Sequence, residues 1–321
     1  MTVANRTTVA LRDGRLTDPA ERFDYREKAS LDDVTVVLVI GETTPHDHLA
    51  LLGYGRDTTP RLGRERDLVA FRAESCDTST RLSLACMFVR PEGVVTGDGF
   101  KTDRINEEMV FSVFRELGFS IELFAMQSEV GFYHRVGPDF YKMREIIVAG
   151  ADDAPRAVYD ELLLPEVEAS LRRHPDGRHL IVLHKKGSHF LYSQRYPRQF
   201  ARWTPECLDA DDRCSKQELV NAYDNSVLYG DHVLSELLSR LRDRKALVVF
   251  TSDHGESIGD GTHFHGTPRA IAPPEQRRAP LMFWGSPALL GTQPVPLRRE
   301  RADVRTSSPP MRRAVLGSVG R

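Results

Sequence analysis

The sequence predicts an α/β fold, a mostly parallel sheet sandwiched by helices. Three observations carry that expectation. The runs VTVVLVI at 34–40 and ALVVFT at 246–251 are near-continuously apolar and rich in β-branched residues, as strands buried on both faces are. Stretches with a helical period lie between strand-like runs, the alternation that builds a parallel sheet covered on both sides. A polar cluster follows each of the two runs at once, at 41–44 and at 252–256, and open α/β sheets bind ligands just beyond the carboxyl ends of their strands.

Taken in order, residues 1–32 are charged and aperiodic and read as a leader or linker. One domain is expected over 33–290. After the strand at 34–40, residues 67–71 read as a second strand and 81–88 as a short helix. Residues 103–117 carry Val110, Val113, Phe114 and Leu117 at i, i+3, i+4 and i+7, the pattern of an amphipathic helix. Residues 119–125 read as a strand, 159–173 as a helix and 179–184 (HLIVLH) as a strand. A long helix is expected over 215–242, with an apolar stripe at Val220, Tyr223, Val227, Leu234, Leu237 and Leu241. Strands follow at 246–251 and 279–284. The periodicity stops after Trp284, and the Arg-rich tail 291–321, with Pro309 and Pro310, reads as disordered.

A length of 321 residues is within reach of a single large α/β domain, and 40% hydrophobic residues supply a core. The formal net charge of −2 gives no global field for nucleic acid, so no nucleic-acid partner is expected. No apolar run reaches the ~18 residues of a transmembrane helix. Residues 1–29 lack the apolar centre of a signal peptide. Taken alone, the chain reads as soluble. Its four cysteines fall into two local pairs, Cys76 with Cys86 and Cys207 with Cys214. Neither has metal-ribbon or redox spacing. Arithmetic leaves open four buried thiols or two short disulfide loops.

The chemistry concentrates at the two strand ends. Glu42 after the first run, and Asp253 with His254 after the second, bring carboxylate oxygens and an imidazole together, a zinc-type ligand set. The bland alternative, Asp253 and His254 as helix caps, explains an adjacent Asp-His pair before glycine less well. Thr80 stands just ahead of the helical segment 81–88, where a hydroxyl meets free N–H groups suited to an anionic phosphoryl group. Beside a metal such a hydroxyl becomes a nucleophile near neutral pH; isolated, it would be an ordinary N-cap. Histidines form a further layer. His184 and His189 follow or end the run HLIVLH, and His263 and His265 lie about ten residues past the Asp-His pair. They can bind phosphate oxygens, ligate a second metal or move a proton. Lys185 and Lys186 are candidates for substrate contact, with solvated surface lysines as the default.

Together these stretches resemble the phosphoethanolamine transferases that decorate bacterial lipopolysaccharide, within the sulfatase or alkaline-phosphatase-like superfamily. The matching segments are VVLVIGETT, GYGRDTTPRL, SCDTSTRLSLACMF, VLHKKGSHFLYSQRYP, AYDNSVLYGDHV and SDHGESIGDGTHFHGTPRAIAPPEQ, which cover roughly 34–284. HKKGSHF, RYP and AMQSE make the chain look most like the branch acting on the Kdo sugar of the inner core. The resemblance implies an alkaline-phosphatase/sulfatase-like fold. It implies zinc, one ion or two, or calcium, held by Glu42, Thr80, Asp253 and His254. It implies Thr80 as the nucleophile that becomes phosphoethanolamine-modified. His189 and His265 would act in catalysis, His189, His263, His265 and Lys185 in substrate binding. Disulfides Cys76–Cys86 and Cys207–Cys214 are implied too. Phosphatidylethanolamine would be the donor, the Kdo sugar of lipopolysaccharide the acceptor, and the active form a monomer. The location implied is the inner membrane, with the catalytic domain in the periplasm.

Family members carry an amino-terminal bundle of membrane helices, which this chain as given does not show, so weak or absent transfer from bilayer lipid is expected of it. Rival readings are a lipid A phosphoethanolamine transferase, a zinc-dependent phosphoester hydrolase and an inactive truncated relic. A sulfatase proper needs C-x-P-x-R, and the stretch from Cys86 to Arg90 has Phe88 where proline is required.

Overall fold

Seven strands form the central sheet of the computed structural model, which describes residues 16–22, 32–95, 97, 104–143, 159–208, 214–258 and 263–291. They are β1 (Val34–Gly41), β2 (Leu68–Glu74), β3 (Ser120–Ala125), β4 (Phe140–Lys142), β5 (Arg178–His184), β6 (Ala246–Ser252) and β7 (Arg278–Gly285). Their spatial order is β2-β7-β6-β1-β5-β3-β4. β1 pairs in parallel with β5 and β6, and β3 with β5 and β4. β7 alone runs against its neighbours β2 and β6. The connection 253–277 explains the reversal. β6 ends and β7 begins at the carboxyl end of the sheet, Thr251 being in register with Leu281, so the chain re-enters from that end.

Every residue of β1 and β6 is buried, as their unbroken apolar sequences predict. Alternation along β1 feeds two cores. Val36, Leu38 and Ile40 join Leu84, Phe111, Phe132 and Leu289 on one face. Val37 and Val39 join Leu164, Val167, Tyr223 and Leu234 on the other. The first face is covered by α1 (Thr80–Cys86), α2 (Phe111–Glu116) and α3 (Val130–Val136), the second by α4 (Leu163–Arg173) and α5 (Lys216–Leu241). The sandwiched, mostly parallel sheet expected from the sequence is present. Ser215 starts α5 with a capping box, its hydroxyl accepting from the Glu218 N–H while Glu218 takes the Ser215 N–H.

Local differences have local causes. Of the helix expected over 103–117, only Phe111–Glu116 forms. Asn106 and Glu108 instead donate their N–H groups to Gly93 and Thr17 carbonyls at 2.9 Å each, which holds that stretch extended. Thr17 and Glu107 form a bridge, so residues 16–22 of the presumed leader pack on the domain. The rest of the leader, except Asp32, and the tail beyond Gly291 lie outside the described residues. α3 and the three-residue edge strand β4 are too short for periodicity to reveal.

Both cysteine pairs are disulfides, with Cα–Cα separations of 6.4 Å for Cys76–Cys86 and 5.7 Å for Cys207–Cys214. The first ties the loop entering α1 to the end of that helix. Replacing both Cys76 and Cys86 by serine should lower unfolding free energy by about 2–3 kcal/mol. Urea unfolding of the variant against the parent, each with and without reductant, measures this.

Candidate active site

Five strand ends meet above the sheet. Gly41 is in register with Ser252, so Glu42 and Asp253 leave adjacent strands side by side. Ile40 is in register with His184, and His184 with Ala125, which brings the 185–189 loop and Gln127 to the same rim. The segment after β2 carries Thr80 in from the far edge. Thr80 is the first residue of α1, with Ser79 as the N-cap, so the helix starts one residue earlier than the sequence predicts.

Glu42, Asp253 and His254 are fully buried. The Thr80 hydroxyl donates to Glu42 Oε2 at 3.1 Å and lies 3.3 Å from His254 Nε2. His254 Nε2 is 3.4 Å from Glu42 Oε1 and 3.4 Å from Asp253 Oδ2. His254 Nδ1 bonds the Gly255 carbonyl at 2.8 Å. That makes Nδ1 a donor and turns Nε2 toward the cluster. There burial works to lower His254, but the Asp253 and Glu42 carboxylates outweigh it and raise His254 to about 10, so a bound cation would take the place of the Nε2 proton. Asp253 Oδ1 accepts from the N–H groups of Thr43 and His254 at 3.1 and 2.8 Å. Its Oδ2 is buried without a hydrogen-bond partner.

A divalent ion fits this set. Four donors at ~2.0–2.1 Å from a tetrahedral zinc lie about 3.3–3.4 Å from one another. The four separations above, 3.1–3.4 Å, are of that edge length, with Glu42 turning one oxygen to Thr80 and the other to His254, and Glu42, His254 and His265 offer ligand atoms all within 4.8 Å of one another. The electrostatics agree. Burial pushes the Asp253 carboxyl up to about 7, and the neighbouring Glu42 charge adds to the effect. Burial also works to raise Glu42, but the hydrogen bond and charge of His254, with His189 beyond, outweigh it and hold Glu42 far below the carboxylate range. Two buried carboxylates facing a single imidazolium form a site where a divalent cation can replace the shared proton.

The backbone is shaped for these contacts. Thr43 sits in the left-handed region at φ 53°, which costs about 1 kcal/mol or more. The Tyr223 hydroxyl bonding the Thr43 carbonyl at 2.6 Å helps hold it there. Gly187, at φ 54°, crosses the Glu42 backbone so closely that a Cβ would lie 2.6 Å from the Glu42 carbonyl oxygen. The loop of α1 is clamped from above, with the Gly266 N–H on the Thr78 carbonyl at 2.7 Å and the Thr78 hydroxyl on the Thr267 carbonyl at 2.7 Å.

The structure brings Glu42, Thr80, Asp253, His254 and His265 together. The His254 and His265 ring centroids are 4.2 Å apart, and His189 lies 6.5 Å from His265. Burial, with the charge of Lys186, lowers His189 to about 4. His263 pairs through its backbone with Ile258, and its side chain lies outside the described residues. Lys185 is buried and forms an ion pair with Asp160 at 3.5 Å, away from the cluster; Lys186 is the lysine that reaches the rim. Two residues given no role from sequence join the site. Gln127 donates to Glu42 Oε2 at 2.9 Å, and Glu256 holds His265 Nδ1 at 3.1 Å. Both lie within the stretches AMQSE and SDHGES, the only signal that marked them.

The family model described as Sulfatase matches residues 34–307. The chain belongs to the sulfatase family. Over 271 residues it is 50% identical to Kdo(2)-lipid A phosphoethanolamine 7''-transferase of Escherichia coli K12, covering 84% of this chain and 48% of that protein. The soluble domain of lipooligosaccharide phosphoethanolamine transferase A from Neisseria meningitidis superposes with a TM-score of 0.75 at 30% identity, covering 87% of this chain and 84% of that one. The integral membrane protein of the same name superposes at 0.73 and 30% identity, over 86% of this chain and 52% of that one. Within the family, this sulfatase-family domain thus groups with the phosphoethanolamine transferases. It spans about half the length of the curated relatives it matches. No described helix is long and apolar enough to cross a membrane.

A second carboxylate-histidine group of this sulfatase-family domain, Glu122, His174 and His179, stands near the amino ends of β3 and β5. It is a poor metal centre. The two rings stack at 4.0 Å and 18°, so their in-plane lone pairs do not converge, and Arg173 grips both Glu122 oxygens at 3.0 and 2.6 Å. The group is an acid-sensitive staple. Burial, with the charge of His174, holds His179 down to about 4. Burial raises Glu122, but bonds from Arg173, Ser170 and His174 outweigh it and hold it to about 2. Both are lowered on folding, so unfolding takes up protons as pH falls, His179 between 6.5 and 4 and Glu122 below 4.5. Stability should therefore be complete at neutral pH and fall with acidification. Glu122→Gln should shrink the fall below pH 4.5 by up to about one proton's worth, roughly 1.4 kcal/mol per pH unit, in denaturant titrations across pH.

Proposed function

We propose that the domain transfers phosphoethanolamine from phosphatidylethanolamine to the Kdo sugar of lipopolysaccharide, through a covalent adduct on Thr80 at a zinc site. The observation that carries this reading is the Thr80 hydroxyl, 3.1 Å from Glu42 Oε2 and 3.3 Å from His254 Nε2, beside a buried, unpartnered Asp253 oxygen. Glu42, Thr80, Asp253 and His254 would hold the ion. Bound there, zinc supplies positive charge that eases loss of the hydroxyl proton and offsets charge on the phosphoryl oxygens. Likeness at 50% identity to the enzyme named for Kdo(2)-lipid A, against 30% for the one named for lipooligosaccharide, supports the Kdo reading.

Thr80 Oγ1, which would lose its proton to solvent on binding the ion, attacks the phosphorus, and the bond from phosphorus to the diacylglycerol oxygen breaks. His265, its Nδ1 held by Glu256, presents Nε2 as the group that hands a proton to that leaving oxygen. The acceptor hydroxyl then attacks the same phosphorus, the bond to Thr80 Oγ1 breaks, and His189 or His265 accepts the hydroxyl proton. Every residue named belongs to one chain, so a monomer suffices. The two disulfides suit an oxidising compartment such as the periplasm, and the matched relative that is an integral membrane protein supports a location at the inner membrane.

The test is intact-mass analysis and peptide mapping of the zinc-loaded chain after incubation with short-chain phosphatidylethanolamine. A phosphoethanolamine adduct on Thr80, discharged by Kdo-lipid A, is expected. Full zinc occupancy with no adduct overturns the reading. Release of free phosphoethanolamine that acceptor does not suppress points instead to a hydrolase.

A further inference from the structure

Lys186 is a charged side chain at the rim to which the transfer chemistry gives no task. Its Nζ donates to Gln127 Oε1 at 3.2 Å. Gln127 Nε2 in turn donates to Glu42 Oε2, the oxygen that receives the Thr80 hydroxyl. The ammonium thus stands at the end of a fixed chain, Thr80 to Glu42 to Gln127 to Lys186. It has three N–H donors, and Gln127 takes one.

The nearby carboxylates are engaged elsewhere. Asp160 accepts from the backbone N–H groups of Lys186 and Gly187 at 2.6 and 3.0 Å and pairs with Lys185. Glu256 holds His265. Arg195 is the second cation of this rim, and its guanidinium bonds main-chain carbonyls only, those of His189 and Phe190 at 3.1 and 2.8 Å. Among the described residues no carboxylate lies within 4.0 Å of either cation. Both are partly buried and feel the Glu42 and Asp160 charges only from beyond contact, and a partly buried cation with spare donors and no carboxylate in contact is a receptor for an oxyanion.

Resting on the transfer reading above, we propose that Lys186, with Arg195 behind it, receives the carboxylate of an acidic acceptor sugar and so fixes which hydroxyl faces the adduct. Geometry separates this from donor recognition. The reacting phosphorus must come within ~3–3.5 Å of Thr80 Oγ1, whereas Lys186 is set off from Thr80 by the Glu42 carboxylate and the whole Gln127 amide. Phosphatidylethanolamine carries its one negative charge on that phosphorus, and its remaining charge is an ammonium, which Lys186 repels. An acidic sugar carries its carboxylate apart from the hydroxyl that reacts.

Isothermal titration of the purified, zinc-loaded chain with free Kdo and with its methyl ester tests this without turnover. The parent protein should bind the acid at least about 10-fold tighter than the ester, the scale of one charge-assisted hydrogen bond. Lys186→Met should erase the difference and Lys186→Arg should keep most of it. Thermal melts check that each variant folds. The inference is overturned if K186M still prefers the acid, if the parent shows no preference, or if K186M slows adduct formation on Thr80 as much as its discharge, which would assign the cation to the donor phosphate. Absence of any Thr80 adduct in the parent would count against the transfer reading alone, since the titration reads binding.

Discussion

Alanine in place of Thr80 is expected to abolish transfer and the mass adduct together, a loss of about 10⁴- to 10⁶-fold, the scale seen when a covalent nucleophile is removed. The fold should survive. Thr80 is half-buried at the first position of α1, its backbone N–H is not required by the helix, and the Cys76–Cys86 bridge holds the segment regardless. Thr80→Ser should keep a measurable fraction of activity, because it preserves the hydroxyl that meets Glu42 and His254. Single-turnover assays with a labelled short-chain donor measure both variants. An alanine variant that retains transfer would move the nucleophile elsewhere.

Asp253→Ala should nearly match that loss by removing the ion. In the parent, zinc at about a thousand times its dissociation constant should add about 4 kcal/mol to unfolding free energy, or roughly 10 °C in melting temperature for a domain this large. Asp253 contributes an oxygen with no other partner, so the variant should show little of that rise. Its turnover should fall by at least about 10³-fold, in line with other losses of transition-state charge stabilisation. Chelation of the parent should reproduce both effects, and added zinc should restore them. Equal thermal shifts in parent and variant would place the ion outside this cluster. Melting curves with zinc titration, alongside bound-metal analysis, give the answer.

Legibility from sequence followed burial. β1 and β6 were readable because strands covered on both faces need apolar side chains at every position, and their carboxyl ends then located Glu42, Asp253 and His254. α5 was readable because 26 residues give periodicity room to show. The antiparallel course of β7 was not, since its sequence looks like any buried strand and the direction depends on where the 253–277 connection travels. Lys185 and Lys186 illustrate a finer limit. Adjacent residues leaving a strand point to opposite sides, and a shift of one decides which lysine pairs with Asp160 and which reaches Gln127. Gln127 and Glu256 act through geometry that only the assembled sheet creates.

The hydrogen bond from Thr43 to Asp253 joins residues 210 positions apart in the chain. Nothing near residue 42 can form a coordination sphere until β6 has docked beside β1, and β6 is made only after α5, late in synthesis. Capture of an ion at this cluster would therefore be a closing event rather than a seed for folding.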